Sequence, residues 1–291
     1  MKFEKLCISP KNENIYLKSY LWDYSKSLLI KKRPAVIICP GGGYLDLSDK
    51  EQEPVAISFL QKGYQAFILQ YSNYSNSKVP AYPESLFDVA RAISTVRENA
   101  AEWNIDYDKI ILIGFSAGGH LVTLFSNLWH ESWFENKAGK SSEDLKPNAI
   151  VSAYPVTDFE LLEKSKNQQT ENGNQDTTKF YGMVNNALFG TPNPNETQKK
   201  QVNAISKVTS KTPPTFLWHT FQDETVDVLN TLAYAKALNE KGVSCEVHVF
   251  EKGHHGLSLG TEISAYSEKD VFPSIQIWFA LMCNWLNQHF E

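Results

Sequence analysis

Ser116 stands in Gly114-Phe115-Ser116-Ala117-Gly118-Gly119-His120, directly after the apolar run Lys109-Ile110-Ile111-Leu112-Ile113. A strand that ends on Gly-x-Ser-x-Gly and passes at once into a helix throws its serine hydroxyl onto a sharp turn, a nucleophile elbow. Gly114 and Gly118 suit that turn, because a side chain at either position would meet the adjoining strand or helix. Three fixed residues alone could equally be an ordinary glycine loop. The preceding strand, and the helix-compatible run 117–128 whose first amides and positive dipole would lie beside Ser116, favour the reactive hydroxyl.

A serine hydroxyl does not attack unaided, so the chain must also supply a base, a carboxylate to orient it, and donors for a tetrahedral oxyanion. Of seven histidines, His120 lies in the turn after the serine, His219 ends a predicted strand, His248 is inside one, and His130 and His289 sit on or near predicted helices. These read as structural or solvated. His254 and His255 remain, in the loop Glu251-Lys252-Gly253-His254-His255-Gly256-Leu257 after a predicted strand. The favoured carboxylate is Asp223, in the loop Thr220-Phe221-Gln222-Asp223-Glu224 that follows the predicted strand 215–219. Glu224 and Asp227 are neighbours that could instead be helix N-terminal charges, and Asp158 is an alternative acid. The donors are sought in Val36-Ile37-Ile38-Cys39-Pro40-Gly41-Gly42-Gly43-Tyr44, where an apolar strand runs into three glycines. The amides of Gly42 and Gly43, with that of Ala117, are the candidate oxyanion hole; a plain glycine turn is the alternative.

These groups need a frame. Strand-like runs fall near 3–8, 14–21, 35–39, 65–71, 109–113, 149–153, 215–219 and 245–250, and helical patterns at 51–62, 83–101, 117–128, 225–241 and 274–289. Alternation of the two predicts a mostly parallel sheet, and two strands ahead of any helix predict an antiparallel start. Within 83–101, Leu86, Val89, Ala90, Ile93 and Val96 recur at helical spacing and read as core. From Asp158 to Lys211 the chain is polar and breaks the alternation, so it reads as an excursion from the core. Its stretch 165–178 reads as a surface loop, whereas the apolar Phe180 to Phe189 reads as a cap over a pocket. Trp129, Trp133 and Phe134 read as packing residues, with an acyl or sugar platform as the alternative.

A chain of 291 residues with 42% hydrophobic content can form one large α/β domain. The net charge of −5 and the lack of a basic run argue against a nucleic-acid surface. The first residues show no signal-peptide core, and no stretch reaches the roughly 18 apolar residues of a membrane span, so a cytoplasmic chain is expected. Cys7, Cys39, Cys245 and Cys283 are scattered, and no metal-ligand spacing occurs. Neither disulfides, metal nor cofactor are expected. A homodimer is the default where oligomers form.

The segments Pro40-Gly41-Gly42-Gly43-Tyr44, Gly114 to Leu121, Tyr154-Pro155-Val156, Thr212-Pro213-Pro214 with Trp218-His219-Thr220, and Gly253-His254-His255-Gly256-Leu257 share an order and spacing. Together they resemble the acetylxylan-esterase-like branch of the α/β-hydrolases, over about residues 35 to 260. The resemblance implies an α/β-hydrolase fold, a mostly parallel twisted sheet of about eight strands flanked by helices on both faces. It implies a single domain over 1–291 with a cap or insertion at about 158–211. It selects His255, which immediately precedes Gly256, and so a triad of Ser116, Asp223 and His255. The implied activity is hydrolysis of short-chain acyl esters, with acetyl groups on xylan-type carbohydrates favoured and a small-molecule or oligosaccharide ester as the bound partner. A generic short-chain carboxylesterase would use the same machinery; an arylformamidase or peptidase would differ in pocket and leaving group, and a silent binding protein could share the fold. Gln222, Asp227 and His254 depart from the residues Asp, Pro and Gly common in relatives, and Asp227 adds a carboxylate near the acid.

Overall fold

The computed structural model describes residues 1–164 and 175–290; most of the polar stretch 165–178 therefore lies outside the described residues. Eight strands form one sheet: β1 (Lys2–Cys7), β2 (Tyr16–Leu21), β3 (Arg33–Cys39), β4 (Gln65–Gln70), β5 (Ile105–Phe115), β6 (Ala149–Ala153), β7 (Thr215–Thr220) and β8 (Cys245–Phe250). Their order is β1-β2-β4-β3-β5-β6-β7-β8. β2 runs antiparallel to β1 and β4, and every later pairing is parallel. The expected strand count, antiparallel start and parallel body are all present.

The helices are α1 (Glu53–Gln61), α2 (Ala81–Glu98), α3 (Ala117–Leu128), α4 (Ser132–Ala138), α5 (Ser142–Leu145), α6 (Gln175–Phe189), α7 (Glu196–Val202), α8 (Leu229–Glu240) and α9 (Ile277–Phe290). Strand side chains alternate between two apolar cores, as a two-residue period requires. Ala35, Ile37 and Cys39 of β3 join a core built with α2, α3 and α8, while Val36 and Ile38 join one built with α1 and α9. Burial on both faces explains why the central strands read as unbroken apolar runs.

The excursion between β6 and β7 is more regular than its composition predicts. α7 opens on a capping box in which Asn195 Oδ1 accepts from the Gln198 amide and the Gln198 side chain accepts from the Asn195 amide. α6 buries Tyr181, Val184, Ala187 and Leu188, one stripe at helical spacing. Each Val- or Leu-sized side chain so covered contributes about 1.5–3 kcal/mol. Tertiary burial holds this helix, although Gly182 and paired asparagines weaken its intrinsic propensity. Phe134 fills the packing role, stacking on Phe87 of α2 at 5.1 Å and meeting Phe125 of α3 edge-on at 5.6 Å, while the exposed Trp133 packs edge-on to Phe134 at 5.4 Å.

Candidate active site

The loops after β3 and β5 flank the place where the sheet grows in opposite directions, since β4 adds to one side of β3 and β5 to the other. Open α/β sheets form their ligand crevice at such a point, beyond the carboxyl ends of the strands. Ser116 directly follows β5 there with φ 51° and ψ −113°, a backbone conformation costing about 1–3 kcal/mol in an L-residue. The glycines around it leave no room for a methyl. A Cβ on Gly114 would lie 2.1 Å from the Gly118 carbonyl oxygen, and one on Gly118 would lie 2.0 Å from that of Cys39.

Three side chains from three loops meet. His255 Nε2 lies 2.8 Å from Ser116 Oγ, and His255 Nδ1 lies 2.6 Å from Asp223 Oδ2. The hydrogen bond to the carboxylate requires the proton on Nδ1, which leaves Nε2 to accept from the serine. The other oxygen, Asp223 Oδ1, accepts from the amides of Thr225 at 2.9 Å and Val226 at 2.8 Å. His219, wholly buried, adds a contact of 3.2 Å to Asp223 Oδ2. Burial alone would raise the Asp223 carboxyl; the charge of His255 and the bonds from both histidines outweigh it and hold this group far below the carboxylate range.

Other sequence candidates stand elsewhere. Asp227 Oδ1 accepts from the Leu229 amide at the start of α8, Asp158 Oδ1 accepts from the Glu160 amide, and Glu224 is exposed. His254 turns away to Asp270 at 3.2 Å. His120 is fully buried, with Nδ1 accepting from Tyr44 Oη at 2.7 Å and Nε2 donating to the Val202 carbonyl at 2.8 Å. Gly42 and Gly43 adopt φ of 123° and 64°. A Cβ on Gly42 would lie 2.1 Å from the Asp46 carbonyl oxygen, so the turn demands glycine. Ala117 is the first residue of α3, and its amide is among those a helix leaves without an internal acceptor.

Ser116, His255, Gly42, Gly43 and Ala117 all border one cavity of about 330 Å³. Its far wall is apolar, formed by Val156, Phe159, Leu162, Phe180, Tyr181 and Val184. Phe180, Tyr181 and Val184, from the segment expected to form a cap, line this cavity, with Phe159 and Leu162 beside them. Sequence reading missed those two, and it missed Glu51, a buried carboxylate on the opposite wall. Acidic residues at a helix start ordinarily read as solvated, so nothing local marked Glu51. Among the described residues no cluster of three or more His, Cys, Asp or Glu is arranged to hold a metal, and no helix is long and apolar enough to cross a membrane.

A mostly parallel sheet in this order, carrying a serine elbow after its central strand, defines the α/β-hydrolases. The crystal structure of acetyl ester-xyloside bifunctional hydrolase from Caldicellulosiruptor lactoaceticus is similar with a TM-score of 0.76 and 31% identity, over 98% of this chain and 96% of that one. Within that class the chain belongs to the BD-FAE family, whose model matches residues 24–238. Endo-1,4-beta-xylanase B of Butyrivibrio fibrisolvens is 30% identical over 233 residues, 79% of this chain and 33% of that one. Acetylxylan esterase of Xylanibacter ruminicola is 27% identical over 234 residues, 78% of this chain and 42% of that one. The chain thus spans less than half the length of either curated relative.

Proposed function

We propose that this chain is a serine esterase that hydrolyses short-chain acyl esters, acetyl groups on xylan-type carbohydrates foremost. The observation that carries the reading is the unbroken hydrogen-bonded line from Ser116 through His255 to Asp223, 2.8 and 2.6 Å long, at the mouth of a cavity. His255 takes the Ser116 proton as the oxygen attacks the ester carbonyl, and Asp223 steadies the imidazolium. Amides of Gly42 or Gly43 and of Ala117 receive the oxyanion. His255 then protonates the departing alcohol, and the same histidine activates the water that releases the acid from Ser116. Carbohydrate acetate is favoured by the names of the similar acetylxylan esterase and acetyl ester-xyloside hydrolase.

One observation supports a second reading. The apolar wall of Phe159, Leu162, Phe180 and Val184 offers more greasy surface than an acetyl group can cover, which suits a carboxylesterase for longer acyl or apolar alcohol groups. Rates on p-nitrophenyl acetate, butyrate and octanoate, beside acetylated xylo-oligosaccharides and with Ser116→Ala as blank, separate the two. Acetate release from the oligosaccharides, with rates falling as the acyl chain grows, supports the first reading. Activity confined to synthetic esters supports the second, and equal rates for the Ser116→Ala variant would sink the assignment of the nucleophile.

A further inference from the structure

Glu51 is a carboxylate only 2% exposed, at the wall of the reactive cavity and outside the three-residue line. Its two oxygens hold different parts of the site. Oε2 accepts from the Gly41 amide at 2.6 Å, and Oε1 accepts from Tyr154 Oη at 2.7 Å. The tyrosine oxygen in turn accepts from the Ser258 amide at 3.0 Å, three residues beyond His255, and Ser258 Oγ donates to the Lys50 carbonyl at 2.7 Å. Tyr154 also sets its ring edge-on to the His255 imidazole, with centroids 5.1 Å apart. A single buried group therefore ties the glycine loop after β3, the turn after β6 and the histidine loop after β8 to one another.

Burying a carboxylate costs several kcal/mol unless its lone pairs are met. Burial does raise the Glu51 carboxyl, and the Tyr154 hydroxyl and Gly41 amide act against that rise. A leucine would escape that cost but leave the buried Gly41 amide and Tyr154 hydroxyl without an acceptor, so satisfying these neighbours is one reason for the group. Its position gives another. Gly41 directly precedes the two amides that face the developing oxyanion, and fixing the Gly41 peptide fixes the direction in which the next ones point. There is no slack in this contact: a Cβ on Gly41 would lie 2.8 Å from both Glu51 Oε2 and the Phe115 carbonyl oxygen.

We propose that Glu51 is a positioning residue that aims the Gly41–Gly43 amides and, through Tyr154, holds the histidine loop in register with Ser116. The inference rests on the serine esterase reading above. Since the oxyanion forms only after attack, misaimed amides cost transition-state stabilisation and leave ground-state binding alone. The decisive experiment compares wild type with Glu51→Gln, Tyr154→Phe, the double variant and Ser116→Ala. Each is assayed for kcat and KM on p-nitrophenyl acetate and for affinity toward an aryl trifluoromethyl ketone, which forms a tetrahedral adduct with the serine. Thermal melting reports folding.

Glu51→Gln is expected to lower kcat about 10- to 100-fold, weaken the ketone by a similar factor and move KM by less than about threefold. Tyr154→Phe, which removes one oxygen atom and keeps the ring against His255, should show the same pattern at smaller size. The double variant should lose no more than Glu51→Gln alone, as members of one linked network do. Unchanged kcat and ketone affinity in Glu51→Gln, or losses that multiply in the double variant, would overturn the proposal. Should Glu51→Gln not fold, Tyr154→Phe decides alone, and wild-type ketone affinity there refutes it. Ser116→Ala with wild-type rates would end the esterase reading and this one with it; an inactive Ser116→Ala beside an unimpaired Glu51→Gln would end only this one.

Discussion

Asp223→Asn keeps the shape of the acid and reverses its meaning. An amide nitrogen presented to His255 would favour the proton on Nε2, where it can no longer take one from Ser116. We expect kcat to fall about 10³- to 10⁴-fold with KM little changed, measured on p-nitrophenyl acetate. The amides of Thr225 and Val226 that grip Asp223 Oδ1 keep the side chain in place, so the variant should remain folded. At this scale the legible residues were those whose chemistry forces a local pattern. Ser116 needs glycines two positions either side, and Asp223 and His255 follow strands at the carboxyl edge. Glu51 and His219 were silent, because what makes each matter is a partner brought near by folding. His219 reads as the end of a strand, and only the closing of the β7 loop sets it against Asp223.

The elements recovered from sequence are those whose own residues dictate them. β6 and β8 match the expected runs residue for residue, as does α3. α8 begins at Leu229, four residues later than its apolar pattern suggests: residues 223–226 form a turn in which Asp223 Oδ1 accepts from the amides at 225 and 226, and Asp227 Oδ1 then meets the Leu229 amide where the helix starts. α6 and α7 were hidden by polar composition: one is held by burial of a single stripe and the other by its cap. Replacing Asn195 by alanine removes that cap and should cost about 1 kcal/mol in a urea titration. The elbow is far less forgiving. Gly118→Ala forces a methyl within 2.0 Å of backbone, which cannot swing aside as a side chain would. We expect a loss above about 4 kcal/mol, read as a fall in the urea midpoint or failure to recover folded protein.

Taken whole, the molecule carries a buried histidine whose neutral form the fold favours. Burial lowers His120 to about 4, and the carbonyl of Val202 only partly resists. The unfolded chain takes up that proton near pH 6.5, before the folded one does. Stability from this residue is therefore complete above about pH 6.5 and drains away as pH falls toward 4, about 3 kcal/mol in all. Urea unfolding at intervals from pH 7 to 4 should show that slope, and His120→Asn, though less stable at neutral pH, should flatten it. The mostly parallel sheet was readable from alternating strands and helices, since the alternation follows from periodicity. Which loops converge was less so, because convergence depends on strand order and not on distance along the chain.

β6 and β7 lie side by side and parallel, Ile150 opposite Thr215, so the chain that leaves at the carboxyl end of β6 must cross back to the amino end of β7. Between them Val156, Phe159, Leu162, Phe180, Tyr181 and Val184 supply the apolar wall, while Tyr154, at the start of the stretch, packs against His255. Side-chain changes along that wall should alter which acyl groups enter the pocket before they disturb the line from Ser116 to Asp223, which other loops carry.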